Sequence, residues 1–375
     1  MENYKKIEEA IEKTGYISEH KVSNLFSDSE WYTINNRYYF DNTIGTEREI
    51  DLIAYKVATI NEIKLFTAII ISVKKNSENS WVFLTKDINN QDPNVKYKPI
   101  DSWTNSKIFH KMETSSFILN RILEKSKSNP IHKYLFDLER NIFAFQEVNL
   151  KNATPQNDKR IYDSIITLIR SLHYEKEALN SRKENICVYN FLLVSVMELN
   201  SFEYYLSKNQ STINETDYLK YTNRFIVNQK ESNNTVHFVK LKELENFINY
   251  LNLLHIWLQN EYTEQFKLYE KKIKTNYDFL TLFLDEIEKE LSDDIRHSLQ
   301  LLCDFYIDKF RYFLFSYNKE DDLIIIDLGI EDENILEKMN SNKHIKEKVQ
   351  TTLTKYYMTN LNFKFKYNEY GDIPF

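Results

Sequence analysis

Apolar and polar positions along the chain alternate with two different periods. Residues 3–14 carry apolar and charged positions at helical spacing, and Ile17 to Phe26 continues as a short helix. Ser18 can cap that helix, and Val22, Leu25 and Phe26 form its buried stripe. From residue 31 the pattern predicts strands over 31–40, 50–55 and 65–73, with a short fourth over 81–84. Asp41 to Gly45 is a turn between the first two, with Gly45 at a left-handed position. Alternate residues of a strand share a face. Glu49 and Asp51 therefore point one way, and Ile50, Leu52 and Ala54 the other. On the next strand Ile70, Ser72 and Lys74 share one face, and Ile69, Ile71 and Val73 the opposite one.

Beyond this strand cluster, residues 91–97 are polar, with Pro93 and Pro99 close by, and read as a surface loop. A helical pattern runs over 106–125, is broken by Pro130 and restarts over 132–140. Phe143, Phe145 and Val148 alternate as in a strand, and Pro155 marks a loop. Residues 158–180 form a helix in which Ile161, Ile165, Leu168, Ile169 and Leu172 recur at three- and four-residue spacing. Residues 186–199 are apolar enough for a buried strand; 207–217 is a polar excursion; 224–229 and 236–239 form a strand pair, and Leu241 begins a further helix. That order extends the first sheet, which places a first domain over 1–260. The remainder, 261–375, is mostly helical: helix over 261–317, a strand over 323–328 closed by Gly329, a final helix and an aromatic strand over 362–367. Between Pro155 and Gly329 there is no glycine or proline, so no breaker marks the boundary.

Composition sharpens this reading in three places. Hydrophobic content of 42% in 375 residues supports a sizeable core, and 28% charged residues with 14% aromatics exclude a disordered chain. The formal net charge of −7 excludes a protein that coats nucleic acid by bulk charge, so any such contact needs a local basic patch or a partner subunit. Cys187 and Cys303 lie far apart in apolar runs and read as buried free thiols. No two of the eight histidines have zinc-ligand spacing, and there is no Gly-rich phosphate loop. The N-terminus has no apolar leader and no window reaches membrane-span length, which points to the cytoplasm and to no membrane partner.

The candidate chemistry lies where charge interrupts the two β-branched runs. Asp51 sits between Ile50 and Leu52, and Ser72-Val73-Lys74 closes the following strand. On neighbouring strands the aspartate and the lysine come together, a pair suited to holding a divalent cation and steadying a phosphate. Lys74 and Lys75 also fit a blander role, as charges that blunt a sheet edge. An acid on one strand followed by acid-x-Lys on the next resembles the core of the PD-(D/E)XK, or restriction-endonuclease-like, nucleases. Glu19 in the upstream helix, Tyr38-Tyr39-Phe40-Asp41 and Asn79-Ser80-Trp81-Val82-Phe83 flank the motif in a similar way. A carboxylate in the first turn of a helix is also favoured by the helix dipole alone, which gives Glu19 a structural explanation too.

The resemblance implies an α/β fold with a restriction-endonuclease-like mixed sheet flanked by helices, followed by the mostly helical C-terminal region. It implies a metal-dependent nuclease that hydrolyses phosphodiester bonds in DNA, in a setting of bacterial genome or anti-phage defence. The implied catalytic residues are Asp51, Lys74, Glu19 and Ser72. The implied ligands of Mg²⁺ or Mn²⁺ are Asp51, Glu19, the carbonyl of Val73, and Glu49. Ser72 departs from the pattern, because a neutral hydroxyl stands where the family has a carboxylate. Glu49, or Glu78 in the following loop, could supply the missing charge. Alternatively the chain is a catalytically inactive nuclease-fold subunit that binds nucleic acid, a partner protein or further copies of itself.

Overall fold

The computed structural model describes residues 2–12, 14–41, 45–60, 63–89, 91–92, 98–113, 117–182, 185–208, 210–227 and 230–368. The chain opens with α1 (Glu2–Glu12) and α2 (Tyr16–Asp28), followed by β1 (Tyr32–Asp41), β2 (Thr46–Ile60) and β3 (Ile63–Lys75). The β-branched runs thus extend well past the predicted ends. Gly45 adopts φ +67° at the end of the first turn, as expected of a residue without Cβ; residues 42–44 lie outside the described residues. Ser18 is not the cap of α2. Gly15 holds the N-cap position, and Ser18 is buried inside the helix, where its hydroxyl donates to Glu198.

Next come β4 (Asn79–Lys86), β5 (Asp101–Thr104), α3 (Lys107–Glu113) and α4 (Phe117–Ser126). Residues 93–97 of the expected surface loop lie outside the described residues. A single π turn, His132–Phe136, replaces the helix predicted over 132–140. Then follow β6 (Asn141–Asn149), β7 (Thr154–Gln156), α5 (Lys159–Arg182) and β8 (Cys187–Glu198). The polar excursion over 207–217 contains β10 (Ser211–Glu215), which pairs back on β9 (Ser201–Leu206) as a hairpin; after it come β11 (Tyr218–Val227), β12 (Lys230–Lys240) and α6 (Leu244–Thr275).

Seven of these strands form a mixed sheet with the order β1-β2-β3-β8-β12-β11, and β5 pairs with the first half of β8. β2 runs antiparallel to its neighbours β1 and β3, whereas β8 runs parallel to β3 after the crossover through α5. β8 is buried at every position but its last, as a strand covered on both faces should be. One cover is α5, whose Ile161, Ile165, Leu168, Ile169 and Leu172 join Ala68, Ile70 and Leu193 in one core cluster. On the other face Thr67 meets His255 of α6 at 2.9 Å, and Trp31 donates to Asn252 of α6 at 2.8 Å.

The first sheet does not take in every strand before residue 260. β4 leaves it and heads a second, five-stranded sheet in the order β10-β9-β4-β6-β7. Trp81 and Phe83 of β4 pack on Phe238 of β12, which joins the two sheets.

The chain forms two compact units, residues 1–105 with 119–259, and 106–118 with 260–375. α6 belongs to the first as far as residue 259. Beyond it, the second unit contains α7 (Tyr277–Leu280), α8 (Leu284–Cys303), β13 (Leu314–Asn318), β14 (Leu323–Asp327), α9 (Glu333–Ser341), α10 (Lys343–Tyr357) and β15 (Phe363–Phe365). The helix expected over 261–317 therefore ends at Cys303, and the three strands make a small sheet of order β13-β14-β15. The single final helix is two, divided at Asn342, whose side chain caps α10 by accepting from Ile345 N–H at 2.9 Å. Among the described residues neither cysteine forms a disulfide; Cys187 is buried as expected, but Cys303 is only half-buried. Among the described residues no helix is long and apolar enough to cross a membrane.

Candidate functional site

Asp51 occupies a defect in the sheet. The β1–β2 ladder pairs Asn35 with Leu52 and Arg37 with Ile50 but skips Asn36 and Asp51 between them. Asn36 has φ +51°, a left-handed conformation that asparagine tolerates better than most residues. The β2–β3 ladder ends at Leu52 and Ile71, while β3 stays paired with β8 as far as Lys75 and Glu198. Strict alternation is lost at the same place: Ile50 and Ile53, three residues apart, both enter the core cluster under α5, and Leu52 does not. The expectation that Ile50 and Leu52 share a face is therefore corrected. The physical consequence is that Asp51 is freed from the ladder and turns toward the end of β3.

There, Oδ2 of Asp51 accepts from Val73 N–H at 2.8 Å, from Ser72 Oγ at 3.2 Å and from Lys74 Nζ at 3.5 Å. Backbone N–H and C=O of one residue leave a strand on the same edge, so the Val73 carbonyl faces the same gap. Ser72 is 1% exposed, whereas the Lys74 side chain keeps about a third of its surface in solvent. The aspartate and the lysine are therefore together and reachable, and the serine is sealed beneath them.

Glu19 and Glu49 complete the acidic side. Burial raises the Glu19 carboxyl above its ordinary value, and the negative charges of Asp51 and Glu49 raise it further, with Lys74 and a hydrogen bond from Asn36 opposing. Glu49 accepts from Asn36 Nδ2 at 2.6 Å, and its bond to the Tyr38 hydroxyl pushes that phenol up. Among the described residues, no three histidine, cysteine, aspartate or glutamate side chains converge as a ready metal cage. Mg²⁺ needs no such cage, since it keeps several waters and takes one or two carboxylates. Asp51 and Glu49 repel the ionised form of Glu19, so this side of the site carries unbalanced negative charge.

Sequence reading missed two cations beside the site, Lys21 and Arg160. A cavity of about 1070 Å³ opens beside Lys74 and is also lined by Lys21, Lys75 and Arg160, with Glu9, Glu12 and Glu78 on its wall. Glu198, at the end of β8, lies opposite Lys75 and within 3.8 Å of Lys21. The available signal was that β3 and β8 are both apolar runs closed by charge, and the carboxyl ends of parallel strands are where α/β sheets bind ligands. Lys21 and Arg160 gave no such signal, because each sits among other polar and charged residues of a helix and reads as an ordinary solvated face.

In comparison with known proteins, the chain matches no family model, no curated protein and no solved structure.

The strained protonation of Glu19 has a measurable outcome. A carboxyl whose pKa is raised by folding binds its proton more tightly in the folded state, so its contribution to stability is lost as pH rises through the folded value. Glu19→Gln is therefore expected to raise the melting temperature in metal-free buffer at neutral pH. If Mg²⁺ binds at this site, the same variant is expected to lose most of the stabilisation the ion gives. Thermal melts with and without Mg²⁺ from pH 5 to 8 read both effects, and an unchanged response to Mg²⁺ would remove Glu19 from the ligand set.

Proposed function

We propose that the first unit is a restriction-endonuclease-like domain acting as a metal-dependent nuclease on phosphodiester bonds of DNA. The observation that carries this reading is the convergence of the Asp51 carboxylate, the Val73 backbone and the Lys74 ammonium where β2 and β3 part, beside a cavity lined by further cations. The mixed sheet flanked by helices supports it, as do Lys21, Lys74, Lys75 and Arg160 on one cavity wall, which outnumber its three glutamates by one.

A bound Mg²⁺ or Mn²⁺ supplies charge relief at the phosphate and a more acidic water. Asp51 and Glu19 would hold the ion with the Val73 carbonyl, and Glu49 adds negative charge from β2. Lys74 reaches from the end of β3 to orient a phosphate oxygen or the attacking water. Ser72 supplies no charge; by donating to Oδ2 it fixes the rotamer of Asp51, which makes it a positioning residue. Lys21, Lys75 and Arg160 would follow the phosphate backbone.

Supercoiled plasmid incubated with the full chain and Mg²⁺ or Mn²⁺ is expected to be nicked or linearised, with no cleavage in EDTA and none by Lys74→Ala. Cleavage by Lys74→Ala at the wild-type rate would overturn this reading. The burial of Ser72 where a carboxylate would stand favours the second reading, a non-catalytic binding subunit. Plasmid retention without cleavage at any metal concentration would select it.

A further inference from the structure

A second cavity of about 580 Å³ lies between the two sheets of the first unit, and its lining shares no residue with the Asp51 site. It is built from β4, β6 and β9 of the second sheet, β11 of the first, the π turn and α6. Its wall carries two cations whose bonding capacity is not used up. Lys220 Nζ donates to the Tyr134 carbonyl at 2.8 Å and the Lys133 carbonyl at 3.4 Å, and among the described residues it makes no ion pair. Glu139 and Asp137 act on it only from beyond ion-pair distance, so one N–H of a largely buried ammonium is left for an anion beside it. Arg140 lies 3.5 Å from Glu203 and stacks on Tyr205, yet its Nη1 is buried without a hydrogen-bond partner.

The rest of the wall is aromatic. The Tyr134 ring stacks between Tyr250, at 3.9 Å and 12°, and Tyr218, at 4.8 Å and 16°. All three phenols line the cavity and none is fully buried. A planar ring entering beside them extends the stack, a contact indifferent to which base carries it. Glu139 and Glu203 face the same space and can accept from hydroxyl or amino groups. Against them stand Lys133, Arg140 and Lys220, so the lining has one positive charge in excess. That balance suits one phosphate better than three. The volume lies within the range of small-molecule sites, roughly 300–1,000 Å³.

The geometry points to a pocket for a nucleoside monophosphate, with Lys220 and Arg140 on the phosphate and the tyrosine stack beside the base. This assignment does not rest on the nuclease reading, and the two can fail separately.

Calorimetric titration of the full chain with AMP, GMP, CMP and UMP, and with adenosine and inorganic phosphate alone, tests it without reference to cleavage. At least one monophosphate is expected to bind at submillimolar concentration, and adenosine and inorganic phosphate roughly tenfold more weakly or worse. Lys220→Met and Arg140→Gln are each expected to weaken binding by roughly tenfold or more.

A pH series separates a direct role from a structural one. Burial pulls Lys220 down to about 8, so affinity should fall as pH rises through that value. Lys220→Arg, which stays charged, should remove the fall while keeping the fold. The groups facing Lys220 are Asp137 and Glu139, whose charges raise it; Lys133 and Tyr134 of the π turn; Tyr218 on its own strand; and His237 of β12, which burial holds neutral down to about pH 3. No binding by any of the four monophosphates at millimolar concentration would overturn the proposal. So would equal affinity in Lys220→Met and Arg140→Gln, or adenosine binding as tightly as AMP.

Discussion

Asp51→Asn is expected to fold normally and to cut metal-dependent plasmid cleavage by on the order of 100-fold or more, about 3 kcal/mol of transition-state stabilisation. Asparagine keeps an acceptor for Val73 N–H, Ser72 Oγ and Lys74 Nζ, all of which meet the same oxygen of Asp51. It removes the charge that would hold the ion, together with the charge that pairs with Lys74. Asp51→Ala is expected to lose cleavage equally but also stability. It strands the buried Val73 N–H and leaves Lys74 without its partner, a cost of about 1–3 kcal/mol for each buried donor left unsatisfied. Cleavage rates beside urea unfolding curves separate the two effects. If Asp51→Asn cleaves at the wild-type rate, the carboxylate is a structural acceptor and the catalytic reading fails.

The largest effect on stability is expected from Phe238→Ala, a loss of about 3–5 kcal/mol. Phe238 is fully buried on β12, with ring centroids 4.8 Å from Phe83 and 6.1 Å from Trp81, both on β4. It is one of the contacts that join the two sheets, beside Phe145 of β6 against Tyr221 of β11. A typical domain has only 5–15 kcal/mol to lose, so this one ring accounts for a large share. Chemical denaturation reads the change; a cost below about 1 kcal/mol would mean that the sheets are held together elsewhere.

The residues that meet at the end of β3 show how far local pattern reached. Asp51, Ser72 and Lys74 could be placed together because each interrupts a β-branched run, and a strand's alternation is a property of its own backbone. The kink at Asn36 could not be read. It exists because two strands skip one pair at the same level, and only Asn36 and Asp51 opposite each other define it. The hairpin β9–β10 was missed for a related reason. β10 is exposed at every position and carries no apolar period, so its only signature is the partner it pairs with. Strand β4 was recognised as a strand and assigned to the wrong sheet, since Trp81 and Phe83 are as apolar as any residue of β3 and nothing in their spacing says which edge they join.

The sequence by itself determined most of the helical and extended segments, the buried stripe of α5, and the acid and the lysine of the candidate site. These follow from periods of 3.6 and 2 and from the charges that interrupt them, all of which are local quantities. Tertiary structure alone decided which strands share a sheet, which face Asp51 turns to, and which cations gather round each cavity. Lys21, Lys75 and Arg160, like Lys220 and Arg140, are scattered in the chain and become neighbours only when distant strands pair. Pairing is chosen by packing across the whole core, and no window of sequence contains it.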